Sequence, residues 1–321
     1  FSSSFIVPYM KDDQFTISSG YLNVGDGHSL YYQEWGNPEL PVTFYLHGGP
    51  GSQCKDKHKL SFNPRKHHIV FHDQRGSGQS TYSSSIAQNT TQNLIEDIER
   101  LRLHLNIPKI QLFGYSWGST LALCYAIAHT EVVTKMLIGG IYLGTAAETN
   151  FLYENGGIAQ FSPEAWEYFT EIIPKKHQSN KVAYYYEQFI NGSDDTKQDH
   201  LSRWLQLEAS IMSFDTDYEI VRLSAHADAD IDKMSGVLVA AHYFNNHCFL
   251  PEGFILSNVH KLDQTPIIIV QGRFDGVCPP QTAHQLKKQL GESCHLHIVP
   301  SSHAREGAMR ETIKAYTWSW L

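Results

Sequence analysis

The sequence predicts an α/β fold: a mostly parallel sheet covered by helices on both faces and interrupted by a helical insertion. Three observations predict it. Short apolar runs rich in β-branched and aromatic residues break into glycine-containing loops at 42–51, 67–78 and 265–275. Helical patterns alternate with those runs, as they do in βαβ units that build parallel sheets. From residue 142 to about residue 258 the alternation stops, and aromatic-rich helical segments replace it.

Taken in order, SLYYQEWG (29–36) alternates like a half-buried strand and ends at Gly36-Asn37-Pro38. VTFYLHGGPG (42–51) and HHIVFHDQRGSG (67–78) share one plan, a strand followed by a polar, glycine-rich loop. NTTQNLIEDIERLRLHLNI (89–107) is a helix, with Leu94, Ile98, Leu101 and Leu105 on one face and an N-cap in its Thr/Asn cluster. A strand precedes Ser116, the small-residue helix GSTLALCYAIAHT follows it, and TKMLIGGI (134–141) is a further strand. The insertion contains the helical segments PEAWEYFTEII, KVAYYYEQFI and HLSRWLQLEASIM. TPIIIVQGRFD (265–275) returns to the sheet, TAHQLKKQL is a helix closed by Gly291, CHLHIVPSSHA (294–304) is a strand and loop, and the C-terminal segment is helical. The expected organisation is a core domain made of residues 1–141 and 259–321, with residues 142–258 as a helical cap. The cap sits over the C-terminal edge of the sheet, where open α/β sheets bind ligands.

Composition narrows the function. The chain has 321 residues, is 41% hydrophobic and 18% charged, and carries a formal net charge of −8. That balance argues against a nucleic-acid partner, which would call for a basic face. No apolar run approaches the ~20 residues that cross a bilayer, so no membrane partner is expected. The N-terminal FSSSFIVPYM lacks the basic start and apolar stretch of a signal peptide, and a cytoplasmic location is expected. The missing initiator Met leaves a secreted or periplasmic origin open, and the sequons at Asn89 and Asn191 matter only in that case. Five widely spaced cysteines with no C-x-x-C pair suggest neither a disulfide framework nor a zinc site. His67, His68 and His72 flank an apolar run and read as strand and edge residues, not as ligands. These residues suggest no metal site.

The chemistry starts at Gly114-Tyr115-Ser116-Trp117-Gly118, which fits G-x-S-x-G. In that pattern a strand turns sharply into a helix and holds a serine at the tip, and side chains at the glycine positions would collide with neighbouring elements. A serine hydroxyl is a weak nucleophile and needs a base, which needs an orienting acid. After such an elbow the chain order is Ser, then Asp or Glu, then His. Asp275 lies just past one late strand and His303 just past the next, on the same sheet edge as Ser116. An oxyanion hole needs two backbone N–H donors. The residue after the nucleophile, Trp117, offers one, and the glycine-rich HGGPG loop (47–51) offers the other through Gly49.

Together HGGPG, DQRGSGQS, DIERLR, GYSWGSTLAL, AHYF, GRFD and LHIV resemble the proline iminopeptidases (prolyl aminopeptidases), serine peptidases of the α/β-hydrolase fold. The resemblance runs from about residue 19 to near the end. It implies Ser116, Asp275 and His303 as the catalytic triad, a peptide with a free N-terminus as substrate, release of an N-terminal proline, and no metal or organic cofactor. It also implies acidic residues in the cap that bind the substrate's ammonium. Trp204 and Glu208 match the family's W-x-x-W-E segment, with Leu207 in place of the second Trp, and Tyr142 matches a pocket aromatic. The chain departs from the family at Ala240, where a second Glu is expected, at Gly139, where Arg is expected, and at Leu152, where an aromatic is expected. Those departures leave an alternative reading, an esterase or amidase with an eroded amine site. A non-enzymatic binding module is disfavoured because no triad member is missing. Cys278, three residues past Asp275, reads either as a small buried residue or as a thiol close to the site.

Overall fold

The computed structural model describes residues 12–81, 86–213, 215, 217–228 and 231–321. The N-terminal stretch compared above with a signal peptide lies outside them. One sheet of eight strands organises the chain, in the order β1-β2-β4-β3-β5-β6-β7-β8. They are β1 (Thr16–Gly25), β2 (His28–Gly36), β3 (Val42–Leu46), β4 (His68–His72), β5 (Ile110–Tyr115), β6 (Val133–Gly139), β7 (Ile267–Gly272) and β8 (Cys294–Val299). β1 and β2 form an antiparallel hairpin, β2 runs antiparallel to β4, and every other pairing is parallel.

The middle strands β3, β4, β5 and β7 are buried along their whole length. That explains why their sequences are mostly apolar on both faces while β1 and β2 alternate in burial. Helices cover both faces. α1 (Thr91–His104) starts at Thr90, whose hydroxyl accepts from the backbone N–H of Asn93. α2 (Trp117–Ala128) follows β5 directly and is buried at every position but its last. Its Gly, Ser and Ala residues let it lie close against the strands. α8 (Pro280–Leu290) ends at Gly291, at φ 62°, and α9 (Gly307–Trp320) closes the chain.

β6 and β7 are adjacent in the sheet but separated by a long insertion that contains no strand among the described residues. Its longer helices are α3 (Pro163–Thr170), α4 (Lys181–Asn191), α5 (Asp194–Ser210), α6 (Tyr218–Asp228) and α7 (Ile231–Asn245). An aromatic stack joins them. Phe169 and Tyr185 lie parallel with centroids 4.3 Å apart, and Tyr153 stacks on Trp204 at 4.6 Å. This stack accounts for the aromatic richness seen in the sequence. The backbone of Gly51 touches that of Gly236 on α7, so closely that no Cβ fits between them. Among the described residues no helix is long and apolar enough to cross a membrane.

Candidate active site

Ser116 lies at the junction of β5 and α2 with φ 58° and ψ −131°. Positive φ is unfavourable for a residue with a side chain and persists only where the surroundings enforce it. The enforcement is visible here. Ser116 donates its backbone N–H to the carbonyl of Gly139 (3.0 Å), which ties the elbow to β6. A Cβ at Gly114 would strike the carbonyl of Gly118, and one at Gly118 would strike that of Leu46. Both glycines therefore permit contacts that hold the turn.

Three motifs of the sequence meet behind this turn. The indole N–H of Trp117 donates to Oε1 of Gln74 (2.9 Å), and Gln74 Nε2 donates to the carbonyl of His47 (3.0 Å). The backbone N–H of Gln74 donates to Nε2 of His47 (3.0 Å). The elbow, the DQRG loop and the HGGPG loop thus form one hydrogen-bonded unit. Arg75 extends it to α1 with a buried fork onto Asp97, Nε to Oδ2 at 2.6 Å and Nη2 to Oδ1 at 2.9 Å. Gly48 packs against Ser116, so the loop carrying Gly49 lies beside the hydroxyl. Trp117 is the first residue of α2, and a helix's first N–H groups have no partner within the helix.

Asp275 and His303 follow β7 and β8, and both are buried. Nδ1 of His303 lies 2.8 Å from Oδ2 of Asp275 and 3.0 Å from Oδ1. Asp275 is itself fixed. Oδ1 accepts from the N–H groups of Val277 (3.0 Å) and Cys278 (2.7 Å), and Oδ2 accepts from Gln271 Nε2 (3.2 Å). The hydroxyl of Tyr115 donates to the carbonyl of His303 (2.9 Å) and anchors that loop to the elbow. Nε2 is the ring nitrogen that Asp275 does not engage.

Cys278 belongs to this group. One ligand-type atom each of Asp275, Cys278 and His303 lies within 4.8 Å of the others. Burial, then the charge of Asp275, pushes the thiol well above its ordinary range, and the Ser116 hydroxyl opposes that shift. The thiol is therefore held protonated. With Nδ1 and the carboxylate already committed to each other, the trio is poorly suited to a metal.

Ser116, His303 and Cys278 open on a cavity of about 870 Å³, lined from the insertion by Leu152, Tyr153, Glu208, Ala240 and Phe244. Glu208 Oε1 accepts from the Tyr153 hydroxyl (2.7 Å) and the Trp204 indole (2.8 Å). Burial raises its carboxyl pKa, and those two hydrogen bonds oppose the rise. Both donors fall on Oε1, and Oε2 takes neither. Tyr142 lines the cavity, and its hydroxyl meets Thr149 at 3.0 Å. Trp204 is fully buried behind the wall, where it positions Glu208 and has no face on the cavity.

The departures from the family pattern acquire local explanations. Residues 150–154 wind as a single π-helical turn, and this turn presents both Leu152 and Tyr153 to the cavity. An aromatic thus stands on the cavity wall beside Leu152, one position from where the family pattern puts it. A Cβ at Gly139 would strike the carbonyl of Val270 and crowd the Tyr115 ring, so no arginine fits there. Ala240 does face the cavity, and no carboxylate replaces it at that position.

A family model described as the α/β hydrolase fold matches residues 41–304. The proline iminopeptidase of Arabidopsis thaliana is 38% identical over 284 residues, covering 88% of this chain and 73% of the relative. That of Xanthomonas citri is 36% identical over 298 residues, covering 92% and 91%. Among solved structures, an esterase from Exiguobacterium antarcticum superposes with a TM-score of 0.67 at 20% identity, covering 94% of this chain and 99% of its own. A proline iminopeptidase-related protein from Thermus thermophilus gives 0.60 at 18% identity, covering 94% and 96%. At those identities the likeness bears on fold alone.

Proposed function

The chain belongs to the proline iminopeptidase family of the α/β-hydrolase fold, and on that premise we propose that it is a serine aminopeptidase releasing an N-terminal proline through Ser116, His303 and Asp275. Ser116 Oγ attacks the prolyl carbonyl while Nε2 of His303 takes its proton. The N–H groups of Trp117 and Gly49 receive the developing oxyanion. His303 then protonates the leaving amine, and a prolyl ester on Ser116 remains. Water, activated by the same imidazole, hydrolyses that ester and restores the hydroxyl. Asp275 keeps the Nδ1 proton in place and stabilises the imidazolium formed at each stage. Residues 142–258 act as a cap that closes this chemistry off from bulk water.

Selection for a free amine rests on Glu208, and its position in the cavity is the observation that carries the reading. A buried carboxylate is costly without a cationic partner. The prolyl secondary ammonium supplies that partner at Oε2, and Tyr142, Tyr153 and Phe244 enclose the ring. Trp204 acts as a positioning residue through Glu208.

Ala240 favours the alternative reading, an esterase or amidase in which one carboxylate is too few to hold the amine. A substrate panel separates the two: Pro-p-nitroanilide, Ala-p-nitroanilide, N-acetyl-Pro-p-nitroanilide and p-nitrophenyl acetate, each with Ser116→Ala as control. Turnover of the free-amine prolyl substrate well above the blocked one supports the aminopeptidase. Equal or faster turnover of the blocked substrate or the ester contradicts it.

A further inference from the structure

The cavity is larger than a prolyl residue requires, and its two ends differ in charge. At one end Glu208 is held by Tyr153 and Trp204, which belong to the core on one face of the sheet. The other end is lined by Tyr45 and Tyr115, which belong to the core on the opposite face. The cavity therefore crosses the C-terminal edge of the sheet, and Ser116 and His303 stand on that edge. Lys55, Lys57, Arg305 and Arg310 also line the cavity, with Glu306 as the acid beside Arg305, and Arg305 stands over Tyr45 and Tyr115.

Arg305 is the most constrained of these cations. Its guanidinium carbon lies 5.8 Å from the ring centroid of Tyr45 and 5.6 Å from that of Tyr115, within cation–π range. The guanidinium hydrogen-bonds the Tyr45 hydroxyl, its Nη1 is buried without a hydrogen-bond partner, and no carboxylate of a described residue pairs with it. The neighbouring His58 imidazole is held neutral, its pKa lowered to about 3 by burial first and by the charge of Arg305 next. A half-buried guanidinium that lines a cavity and pairs with no carboxylate of a described residue is a receptor for a planar anion, and carboxylate matches its fork. The position fits the reaction as well. Arg305 lies two residues past His303, and Tyr115 beneath it donates to the His303 carbonyl. His303 protonates the leaving amine, so the leaving peptide departs on this side.

We propose that Arg305 binds the C-terminal carboxylate of a short peptide whose N-terminal residue occupies the Glu208 end, which makes the enzyme selective for short peptides with a free C-terminus. This rests on the aminopeptidase reading above. Glu208 and Arg305 then read the two charges of one zwitterion, and the separation between them sets the favoured length. A chain that continues past the cavity, or one ending in an amide, forfeits the second contact.

The test compares each peptide acid with its amide, from Pro-Ala to Pro-Ala-Ala-Ala, in two ways. Binding is measured by calorimetry on Ser116→Ala, and kcat/KM is measured on the native enzyme. The expected result is an acid favoured over its amide by about tenfold or more at one short length. In Arg305→Met that ratio collapses to near one, and Arg305→Lys, which keeps the charge without the fork, retains part of it. Equal binding of acid and amide to Ser116→Ala at every length overturns the proposal and needs no variant of Arg305. A ratio that survives in a folded Arg305→Met overturns it too. If the native enzyme cleaves neither form while the acid still binds more tightly, the aminopeptidase reading fails and the carboxylate site stands.

Discussion

Asp275 holds His303 by Nδ1, with 2.8 Å to Oδ2 and 3.0 Å to Oδ1, while its own oxygens accept from Val277, Cys278 and Gln271. Every neighbour of this carboxylate is a donor, so only an acceptor pair fits. Asp275→Asn places an amide N–H against those donors and loses the orientation of the imidazole. The expected loss in kcat is about 10³- to 10⁴-fold, with the melting temperature lowered only modestly. A kcat within tenfold of the native value contradicts the assignment.

Glu208 gives a prediction in pH. Burial raises its carboxyl above the ordinary range, so it takes up a proton at a higher pH than an exposed glutamate, above about 4.3. As pH falls through that raised value the ammonium loses its partner. kcat/KM for Pro-p-nitroanilide should therefore fall at a pH where kcat/KM for p-nitrophenyl acetate does not share the step. Glu208→Gln should abolish this difference and cost the free-amine substrate about tenfold to a hundredfold in kcat/KM, the net worth of a hydrogen bond to charge.

The same shift has a stability consequence of opposite sense. A group whose folded pKa is raised contributes stability that is present below its unfolded pKa and lost as pH rises through the folded value. At neutral pH the ionised Glu208 is a cost to the fold. Glu208→Gln keeps an oxygen for Tyr153 and Trp204, and thermal unfolding at pH 7 should show a melting temperature equal to or above that of the native protein.

Arg75 and Asp97 make a buried fork that ties the DQRG loop to α1. Removing Asp97 leaves Arg75 buried with the half-exposed Asp26, 3.3 Å from Nη1, as its remaining carboxylate. Asp97→Asn should destabilise the protein by about 3–5 kcal/mol, read by urea unfolding. A change below about 1 kcal/mol would mean that Asp26 alone compensates Arg75.

The parts legible in the sequence were those with a local physical cause. The middle strands are buried on both faces, so their composition alone marked them, and β3, β4, β5 and β7 fall inside the runs at 42–51, 67–78, the stretch before Ser116, and 265–275. The elbow was legible because Gly114 and Gly118 have no room for a Cβ. The N-cap of α1 fell within the Thr/Asn cluster, at Thr90. Edge strand β1 was not singled out, since TISSGYLNVG has one half-exposed face and few strong β-formers. Tyr153 was hidden because a π turn presents it to the cavity together with Leu152, which composition does not signal. Trp204 was matched to substrate binding only through the family segment it shares with Glu208; in the fold it is buried behind Glu208 and off the cavity. Arg305 gave no signal, because its significance lies in what it fails to pair with.

The most direct test of the central claim is to trap the acyl-enzyme. Native protein mixed rapidly with a prolyl ester or anilide, quenched in acid and mapped by peptide mass spectrometry, should carry a prolyl group on the peptide containing Ser116. Ser116→Ala should carry none and turn over no substrate. A prolyl group on Cys278, or full turnover by Ser116→Ala, would contradict the account.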